Sequence, residues 1–311
     1  MRMLLTGAIN WTEEHKDEIR NLGNEIIYIQ DERITLIEQN VDIACIEGVI
    51  CNGLFLYNDI TCFKNLKYVQ LTSAGYDRVP IDYINEHNIK IHNARNVYSI
   101  PMSEFAVNGV LQLYKQSCFF YENQRSHEWK KNKDIIELYA KTVCIIGCGS
   151  VGNECAKRFK AFGCQVVGID LYPRKDESYE VIVCLENIES VLSECDVVIL
   201  TLPLTNETKH LMDAKKLELL KSRTILVNIA RGEIVDTDAL IDVLPNIGGA
   251  VLDVFEEEPL SKDSRLWKMK NVIITPHNCF VGEGNRKRLQ EIIIENIKKR
   301  NIKYESYKNV Y

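Results

Sequence analysis

A glycine-rich run between a β-branched stretch and a helical stretch constrains the fold of this 311-residue chain more than any other feature. Residues 147–152 read GCGSVG, which fits the pattern G-x-G-x-x-G and directly follows the apolar run TVCII at 142–146. Gly147 would allow a tight turn, Gly149 would let the backbone approach a pyrophosphate, and Gly152 would let helix and sheet pack closely. The N-terminus of the helix would present free N–H groups to the phosphates. The run therefore predicts a strand–turn–helix unit that binds a dinucleotide, rather than a glycine-rich turn without a ligand.

Asp170 ends the next β-branched run, CQVVGID at 164–170, and supports the same interpretation. A carboxylate at this position can accept hydrogen bonds from the hydroxyls of an adenosine ribose. A 2′-phosphate would meet a like charge there, so NAD is favoured over NADP, although Arg174 and Lys175 follow closely and could moderate the repulsion. No G-K-S/T follows the glycines, which excludes a nucleotide triphosphatase P-loop.

Short apolar runs alternate with amphipathic stretches along the whole chain. The runs lack polar residues at alternate positions, as expected of strands that are buried on both faces of a sheet. The alternation therefore predicts an α/β fold with parallel sheets and helices on both faces. Strands are predicted at Met3–Leu5, Glu25–Ile29, Ile43–Ile50, Tyr68–Leu71, Ile89–Ile91, Val143–Ile146, Cys164–Ile169, Val197–Leu202, Thr224–Ile229, Gly249–Leu252 and Val272–Thr275.

Helices are predicted between most of these strands. Residues 151–162 and 285–299 are helical by their periodicity. A long helical pattern also covers about 102–125, and Pro101 stands in a first-turn position before it. The polar stretch 128–137 is predicted to be a connection.

The composition excludes several classes of protein. Apolar residues make up 46% and charged residues 26%, which are ordinary values for a globular chain and exclude disorder. The formal net charge of 38 − 44 = −6 lacks the basic footprint of a general nucleic-acid binder. The basic residues near the C-terminus alternate with Glu291 and Glu295, which favours a solvated helix face.

The cysteines and the apolar runs indicate in which cellular compartment the protein resides. The eleven cysteines include no CxxC pair and no Cys/His ligand spacing, so no structural zinc or other metal is expected. Scattered free thiols favour the reducing cytoplasm. No apolar run approaches the roughly 20 residues of a membrane span. The start, 1–10, is too short and too soon followed by charges for a signal peptide.

Six short motifs stand in a fixed order along the chain. LTSAGYDRVP (71–80) and NVYSIPMSEFAV (96–107) precede the glycine run. TLPLTNET (201–208), VNIARGEIVD (227–236), DVFEEEPL (253–260) and ITPHN (274–278) follow it. Together with GCGSVG and GID, this set resembles the D-2-hydroxyacid dehydrogenase family over nearly the whole chain.

The resemblance implies a fold, a reaction and an assembly. The fold would be a Rossmann NAD-binding domain, 99–280, inserted into a flavodoxin-like substrate domain made of 1–98 and 281–311. Both lobes would be doubly wound parallel sheets, with hinges near Tyr98–Pro101 and Phe280–Gly284. The reaction would transfer a hydride between NAD(H) and a small 2-keto acid/(R)-2-hydroxy acid pair. A homodimer would form through the NAD-binding domain.

Three residues have side chains that suit this chemistry. Arg231 offers a planar, permanently charged fork for a carboxylate. His277 can donate a proton near neutral pH, and Glu258 could hydrogen-bond its imidazole and fix its orientation. The resemblance gives them the same roles: Arg231 anchors and polarises the substrate, His277 is the acid/base, and Glu258 pairs with His277. Glu256 and Glu257 are neighbouring acids, but the position before Pro259 matches the family pattern.

The resemblance also assigns further contacts residue by residue. Asp253 would sit beside the nicotinamide carboxamide, and the backbone N–H groups of Ala74 and Gly75 would hold the substrate carboxylate. Tyr98 stands where some members carry a substrate-facing tyrosine, although a packed aromatic is an equal alternative. The implied cofactor contacts are Gly147, Gly149, Ser150, Val151, Gly152, Asp170, Leu202, Pro203, Thr208, Ile229, Ala230, Arg231 and Asp253.

Some stretches depart from the family pattern or leave choices open. The run ICNGLFLY at 50–57 lacks the arginine of phosphoglycerate-type members, which disfavours 3-phosphoglycerate as substrate. Leu54 and Phe55 there suggest an apolar pocket wall, unless they belong to the core. Cys148 and Cys279 are expected to be small fillers, and the alternative hypothesis is that modification of these thiols blocks the site.

Two other functions stay open at the level of sequence. One is a relative acting on formate or phosphite, which would share the cofactor fingerprint and much of the site. The other is a non-catalytic interaction protein that senses NADH, since such relatives keep the arginine, glutamate and histidine. A sensor should bind NADH, turn over poorly with every acid, and change partners with the redox state.

Overall fold

The structure, a computed structural model, describes residues 1–300 and contains two compact units. Within the described residues, one unit consists of Met1–Tyr98 and Gly282–Arg300, and the other of Ser99–Val281. Each unit is built on one parallel β-sheet with helices. The predicted α/β fold class with two parallel-sheet lobes is therefore confirmed.

The first unit contains a five-stranded sheet in the order β2-β1-β3-β4-β5. Strands β2 and β3 pair with opposite edges of β1, so the chain reverses its direction across the sheet between β1 and β3. In open α/β sheets, ligands bind outside the carboxyl ends of the strands at such a switch point. The elements are β1 (Arg2–Thr6), α1 (Glu13–Asn21), β2 (Glu25–Ile29), β3 (Gly48–Cys51), β4 (Tyr68–Leu71), α2 (Ile81–Glu86) and β5 (Lys90–His92).

Strand β3 is shorter than the predicted run 43–50. Residues Ile43–Cys45 form a 3₁₀ turn instead, because the side chain of Asp42 accepts the backbone N–H of Ala44 at 3.1 Å and caps it. The four residues of β3 itself are all buried, as the continuous apolar run predicts.

The second unit contains a seven-stranded sheet in the order β12-β11-β10-β9-β6-β7-β8. Its switch point lies between β6 and β9, since β7 pairs with the other edge of β6. The strands are β6 (Thr142–Ile146), β7 (Gln165–Asp170), β8 (Val181–Cys184), β9 (Val197–Leu200), β10 (Ile225–Asn228), β11 (Gly249–Leu252) and β12 (Val272–Ile274). The helices are α3 (Ser99–Tyr114), α4 (Ser117–Arg125), α5 (Ser150–Ala161), α6 (Ile188–Leu192), α7 (Ala214–Glu218) and α8 (Thr237–Val243).

The single long helix predicted for about 102–125 is wrong, because the chain breaks between α3 and α4. Gln116 has a φ of +55°, a left-handed conformation that no α-helix can continue through. Tyr114, the last residue of α3, is buried and donates its hydroxyl to the carbonyl of Asp196 at 3.1 Å. The end of α3 is thereby fixed against the sheet, and α4 begins afresh at Ser117.

The chain returns to the first unit through α9 (Asn285–Arg300). Leu289, Ile293 and Ile297 are buried on this helix and join the core around Met3 and Leu5. The helix agrees with the prediction of 285–299. Within residues 1–300, no helix is both long enough and apolar enough to cross a membrane.

Candidate functional site

The glycine run of the second unit forms an open cradle at the β6/β9 switch point. Gly147 has a φ of +97°, and a Cβ there would lie 2.7 Å from the backbone nitrogen of Leu202. A Cβ on Gly152 would meet the carbonyl oxygen of Gly147, so helix α5 packs directly on this turn. A Cβ on Gly149, by contrast, would meet nothing within 4 Å. The space beside Gly149 and the N-terminus of α5 therefore fit the pyrophosphate of a dinucleotide.

Asp170 and Arg174 hold this turn from the next strand. One carboxylate oxygen of Asp170 accepts the backbone N–H of Cys148 at 2.8 Å, and the other accepts that of Tyr172 at 3.0 Å. The guanidinium of Arg174 donates to the carbonyl oxygen of Cys148. Each carboxylate oxygen has two lone pairs, so Asp170 retains acceptor capacity for ribose hydroxyls.

The other residues expected at the cofactor lie at the carboxyl ends of neighbouring strands. Leu202, Ile229 and Ala230 are buried, so their side chains form part of the sheet's core. The hydroxyl of Thr208 donates to the carbonyl of Pro203 at 2.7 Å and thereby closes the turn after β9. Ser150 and Val151 are half-buried in the first turn of α5.

His277 and Glu258 are in direct contact at the carboxyl edge of the second unit's sheet, where they follow β12 and β11. Nδ1 of His277 lies 2.8 Å from Oε2 of Glu258, and 37% of each side chain is exposed. The other oxygen of Glu258 accepts the backbone N–H of Phe255 at 3.1 Å, which fixes the carboxylate. The ring of Phe280 stands edge-on to the imidazole, with 6.1 Å between the centroids.

The acid next to the proline is thus the one that pairs with His277. Glu256 bonds elsewhere: its carboxylate accepts the backbone N–H of Thr237 at 2.8 Å and contacts Nε2 of His210 at 3.2 Å. The sequence predicted Glu258 from the family pattern alone, and the geometry gives the pairing a physical basis.

Asp253 is fully buried and binds the loop that carries His277. Its carboxylate accepts the hydroxyl of Thr275 at 2.6 Å and the backbone N–H groups of Asn278 and Cys279 at 2.8 and 2.9 Å. These three bonds give Asp253 a structural task that the sequence did not signal. A contact to the nicotinamide carboxamide stays a prediction.

Arg231 follows β10, which lies beside β11 and β9 in the sheet. Its Nη1 donates to the carbonyl of Ala230 at 2.7 Å, and its own carbonyl accepts the side-chain amide of Asn228 at 2.9 Å. Parallel strands end at the same edge, so the residues after β10, β11 and β12 share one edge of this sheet. Arg231, Glu258 and His277 all come from these three connections.

Ala74 and Gly75 follow β4 at the carboxyl edge of the first unit's sheet. Asn93 donates its side-chain amide to the carbonyl of Ala74 at 2.6 Å, and the hydroxyl of Ser73 donates to that of Gly75 at 3.1 Å. The N–H groups of Ala74 and Gly75 have no acceptor among residues 1–300. Two consecutive N–H groups without an acceptor are available to bind an anion.

Tyr98 lies in the same unit, and its hydroxyl donates to the carbonyl of Thr72. Its half-buried ring packs against the core around Met3 and Leu5. The packed aromatic is therefore the alternative that the geometry favours, and a substrate contact stays a prediction.

The suggested apolar pocket wall belongs to the core of the first unit. Leu54 is fully buried, and the ring of Phe55 packs edge-on against Phe63 with 5.5 Å between the centroids. Both thiols singled out by the sequence are buried as well. Burial raises the pKa of Cys148 to about 12 and raises that of Cys279 further, which argues against modification of either thiol in the folded protein.

Glu32 is a residue at a sheet edge that the sequence gave no reason to single out. Its carboxylate accepts the backbone N–H groups of Asn52 and Gly53 after β3. The contact spans connections that are distant in sequence, so only the strand order reveals it. The one sequence signal for this contact is an acidic residue shortly after β2, and it becomes informative only once the strand order is known.

Comparisons with known proteins agree with this geometry. The model of the "D-isomer specific 2-hydroxyacid dehydrogenase, NAD binding domain" matches residues 107–279. Glyoxylate reductase of Pyrococcus horikoshii is 34% identical over 252 residues, which cover 77% of this chain and 75% of that protein. D-3-phosphoglycerate dehydrogenase of Methanocaldococcus jannaschii is 34% identical over 240 residues, which cover 76% of this chain and 46% of that protein.

A solved structure extends the likeness to nearly the whole chain. D-lactate dehydrogenase from Aquifex aeolicus, complexed with NAD and lactic acid, has a TM-score of 0.77 and 25% sequence identity. The match covers 96% of this chain and 95% of that one. The likeness therefore includes both units and not the NAD-binding domain alone.

Proposed function

Because the chain belongs to the D-isomer specific 2-hydroxyacid dehydrogenase family and is an NAD-dependent oxidoreductase, we propose that it reduces a small 2-keto acid with one carboxylate to the (R)-2-hydroxy acid. Glyoxylate, whose product glycolate is achiral, is the first substrate to test, since the glyoxylate reductase of Pyrococcus horikoshii is 34% identical. The observation that carries the proposal is the 2.8 Å pair of His277 and Glu258 on the sheet edge that also holds Arg231.

The balanced reaction is 2-keto acid + NADH + H⁺ → 2-hydroxy acid + NAD⁺. The glycine run and Asp170 would hold the dinucleotide, which supplies a hydride to the carbonyl carbon when bound. Glu258 occupies Nδ1 of His277, so Nε2 is the nitrogen that delivers the proton to the keto oxygen. The carboxylate of Glu258 stabilises the imidazolium before transfer and fixes the ring plane throughout.

Arg231 would bind the keto acid through its guanidinium. A planar cation with parallel N–H groups matches a carboxylate and polarises an adjacent carbonyl oxygen. Its backbone is fixed by the amide of Asn228 at 2.9 Å, which pre-orients the side chain. Pre-oriented donors stabilise the negative charge that develops on the keto oxygen as the hydride arrives.

The N–H groups of Ala74 and Gly75 would bind the substrate carboxylate. Their carbonyls are held by Asn93 and Ser73, so the two N–H groups do not have to reorganise when an anion arrives. A phosphorylated substrate is not proposed, because the 50–57 stretch carries no basic residue.

A second copy of the chain would cover an exposed apolar face of the second unit. Trp129 is 97% exposed and Tyr139 is 72% exposed, which is unusual for large aromatic side chains. We therefore propose that the chain forms a homodimer through these exposed aromatic residues. We also propose that the protein resides in the cytoplasm, because its eleven cysteines are free thiols. The exposed apolar side chains of this stretch are Phe120, Tyr121, Trp129, Ile135 and Tyr139, and Phe120 and Trp129 line the same cavity.

The test of the activity is NADH consumption with a panel of keto acids. Glyoxylate, pyruvate, hydroxypyruvate, oxaloacetate, phenylpyruvate and 2-ketoisocaproate would each be assayed with NADH and with NADPH. Turnover with one or a few monocarboxylates and a preference for NADH are expected. Tight NADH binding without turnover of any acid would contradict the proposal. Light scattering of the wild-type protein and of Trp129→Glu, expected to be dimeric and monomeric, tests the assembly.

A further inference from the structure

A carboxylate of the chain itself occupies the switch point of the first unit's sheet. Glu32 follows β2, and its Oε2 accepts the hydroxyl of Thr6 at 2.8 Å and the backbone N–H of Asn52 at 3.0 Å. Its Oε1 accepts the backbone N–H of Gly53 at 2.6 Å. Thr6 ends β1, whereas Asn52 and Gly53 follow β3, so Glu32 joins the ends of three adjacent strands.

The two N–H groups that Glu32 binds form a site of the kind that binds anions. Consecutive backbone N–H groups that converge on one carboxylate are a recurrent anion-binding concavity. They also lie at the β1/β3 switch point, where sheets of this strand order bind their ligands. A ligand position of the fold is thus filled by a side chain of the protein.

A second N–H pair lies at the end of the neighbouring strand and is not filled in this way. Cys51 pairs with Leu71, and the N–H of Thr72 donates to the carbonyl of Cys51 at 2.9 Å. The Asn52–Gly53 pair directly follows β3, and the Ala74–Gly75 pair begins three residues after the adjacent strand β4. Only the Ala74–Gly75 pair is without an acceptor among residues 1–300.

Arg78 connects the two loops. A Cβ built on Gly53 would lie 3.9 Å from Cδ of Arg78 and 3.6 Å from Oε1 of Glu32. The side chain of Arg78 is exposed, and its Cδ lies near the same backbone position, Gly53, as the carboxylate of Glu32. Without the carboxylate of Glu32, the two N–H groups would lose their acceptor, and the long side chain of Arg78 would lie nearby.

We propose that Glu32 is a specificity-determining residue that restricts this site to 2-keto acids with a single carboxylate. The substrate carboxylate takes the Ala74–Gly75 pair, and a second carboxylate on the substrate would need the neighbouring pair. Both of those N–H groups already donate to Glu32, and the negative charge of Glu32 would repel the second carboxylate. The proposal rests on the proposed function, since it uses the Ala74–Gly75 pair as the carboxylate site.

The test compares two keto acids of nearly equal shape and different charge. Oxaloacetate and 2-ketoisocaproate differ by a carboxylate in place of an isopropyl group, so the ratio of their kcat/KM values reports charge rather than size. In the wild-type enzyme the ratio should favour 2-ketoisocaproate by about tenfold or more, the order of one charge-assisted hydrogen bond. An equal or reversed preference of the wild type would overturn the proposal.

Variants then assign the preference to Glu32. Glu32→Ala and Glu32→Gln should each shift the ratio towards oxaloacetate, by roughly 10- to 100-fold in the alanine variant. In the double variant Glu32→Ala/Arg78→Ala, most of this shift towards oxaloacetate should be lost. The matched control is Glu38→Ala, because Glu38 is exposed in the same segment and accepts bonds from Thr35 rather than from β3. A folded Glu32 variant with the wild-type ratio would overturn the proposal.

A binding measurement separates this proposal from the proposed function. Calorimetry with the enzyme and NAD⁺ would compare (R)-malate with (R)-2-hydroxyisocaproate, which needs no turnover. Glu32→Ala should tighten the binding of malate relative to its isostere by about tenfold. This shift without turnover would contradict only the reductase activity, whereas turnover without the shift would contradict only the role of Glu32.

Discussion

The backbone N–H of His277 donates to the carbonyl oxygen of Asp253 at 2.7 Å, and this bond is one of four that join Asp253 to the same loop. His277 has a φ of +50°, a left-handed conformation that costs free energy for a residue with a Cβ. Asp253 has no exposed surface and bonds the loop on both sides of the histidine. The orientation of the imidazole therefore depends on a carboxylate that need not touch the substrate.

Asp253→Asn should impair the enzyme by loosening this loop. One amide nitrogen of the new side chain would face a backbone N–H or the hydroxyl of Thr275, which leaves a buried donor unsatisfied at a cost of about 1–3 kcal/mol. We expect Tm to fall by several degrees and kcat to fall by roughly 10- to 100-fold. Differential scanning fluorimetry and steady-state kinetics would measure both.

Asp242→Asn is the matched control for that prediction. Asp242 is exposed on α8, and within residues 1–300 its side chain forms one ion pair, at 3.5 Å with Arg265, so its substitution should leave Tm and kcat close to wild type. An Asp253→Asn enzyme with wild-type Tm and kcat would contradict the role assigned to the four bonds.

His277→Ala should remove the proposed proton donor and leave cofactor binding intact. General acid catalysis contributes roughly 10²- to 10⁴-fold, so kcat should fall within that range. The dissociation constant for NADH should stay within about twofold, because His277 lies on a different connection from the glycine run. Stopped-flow single-turnover rates and fluorescence titration with NADH separate the two effects.

The chain offers a close control for the imidazole. His210 is also paired with a carboxylate of the 253–260 stretch, at 3.2 Å from Glu256, and 40% of its side chain is exposed. His210→Ala should keep wild-type turnover. Equal losses in the two histidine variants would show that the effect is not specific to the proton donor.

Arg231→Ala should weaken substrate binding as well as turnover. In the proposed site the guanidinium would contact the carboxylate in the ground state and the developing alkoxide in the transition state, so KM should rise and kcat should fall. Arg231→Lys should recover only part of the loss, since an ammonium cannot bind two oxygens in parallel.

Arg223→Ala provides the comparison, because Arg223 precedes β10 whereas Arg231 follows it. Arg223 forms a 3.5 Å surface pair with Asp134 and lies at the amino end of the strand. Its substitution should not change KM for the keto acid. A rise in KM in both variants would point to a general loss of structure at β10.

The features predicted well from the sequence are those set by neighbouring residues. The glycine run, the following helix and Asp170 lie within one strand–helix–strand segment, and each has a local pattern. The break at Gln116 was missed because no glycine or proline marks it, and the docking of Tyr114 onto the sheet decides where α3 ends. Strand β8 was missed because it is a short edge strand that is only partly buried.

Contacts across the sheet edge could not be predicted. The bonds of Glu32 to Asn52 and Gly53, and those of Asp253 to the loop around His277, join segments about 20 residues apart. These hydrogen bonds depend on which strands are neighbours in the sheet, and the strand order cannot be inferred from composition. Glu258 was identified only because a family pattern replaced the missing geometry.

His92 should make the free energy of unfolding depend on pH in the acid range. Burial, reinforced by the charges of Lys90 and Lys299, lowers the pKa of His92 to about 4. In the unfolded chain a histidine titrates at about 6.5, so the unfolded state binds the extra proton first as the pH falls. The stability that neutral His92 provides is therefore complete above about pH 6.5 and is lost progressively down to about pH 4.

Urea denaturation of His92→Gln at several pH values would measure this contribution. His92 lies on β5 beside Tyr68, and its Nε2 is buried without a hydrogen-bond partner in the described part of the chain. A neutral glutamine removes the titration, so the variant should lose less stability than wild type between about pH 6.5 and 4, by about 1–2 kcal/mol because solvent screens the partly exposed ring. His87→Gln is the control, because His87 is exposed and stacks on Tyr83. If the wild type and His92→Gln lose stability in parallel over this range, the acid sensitivity resides in other groups.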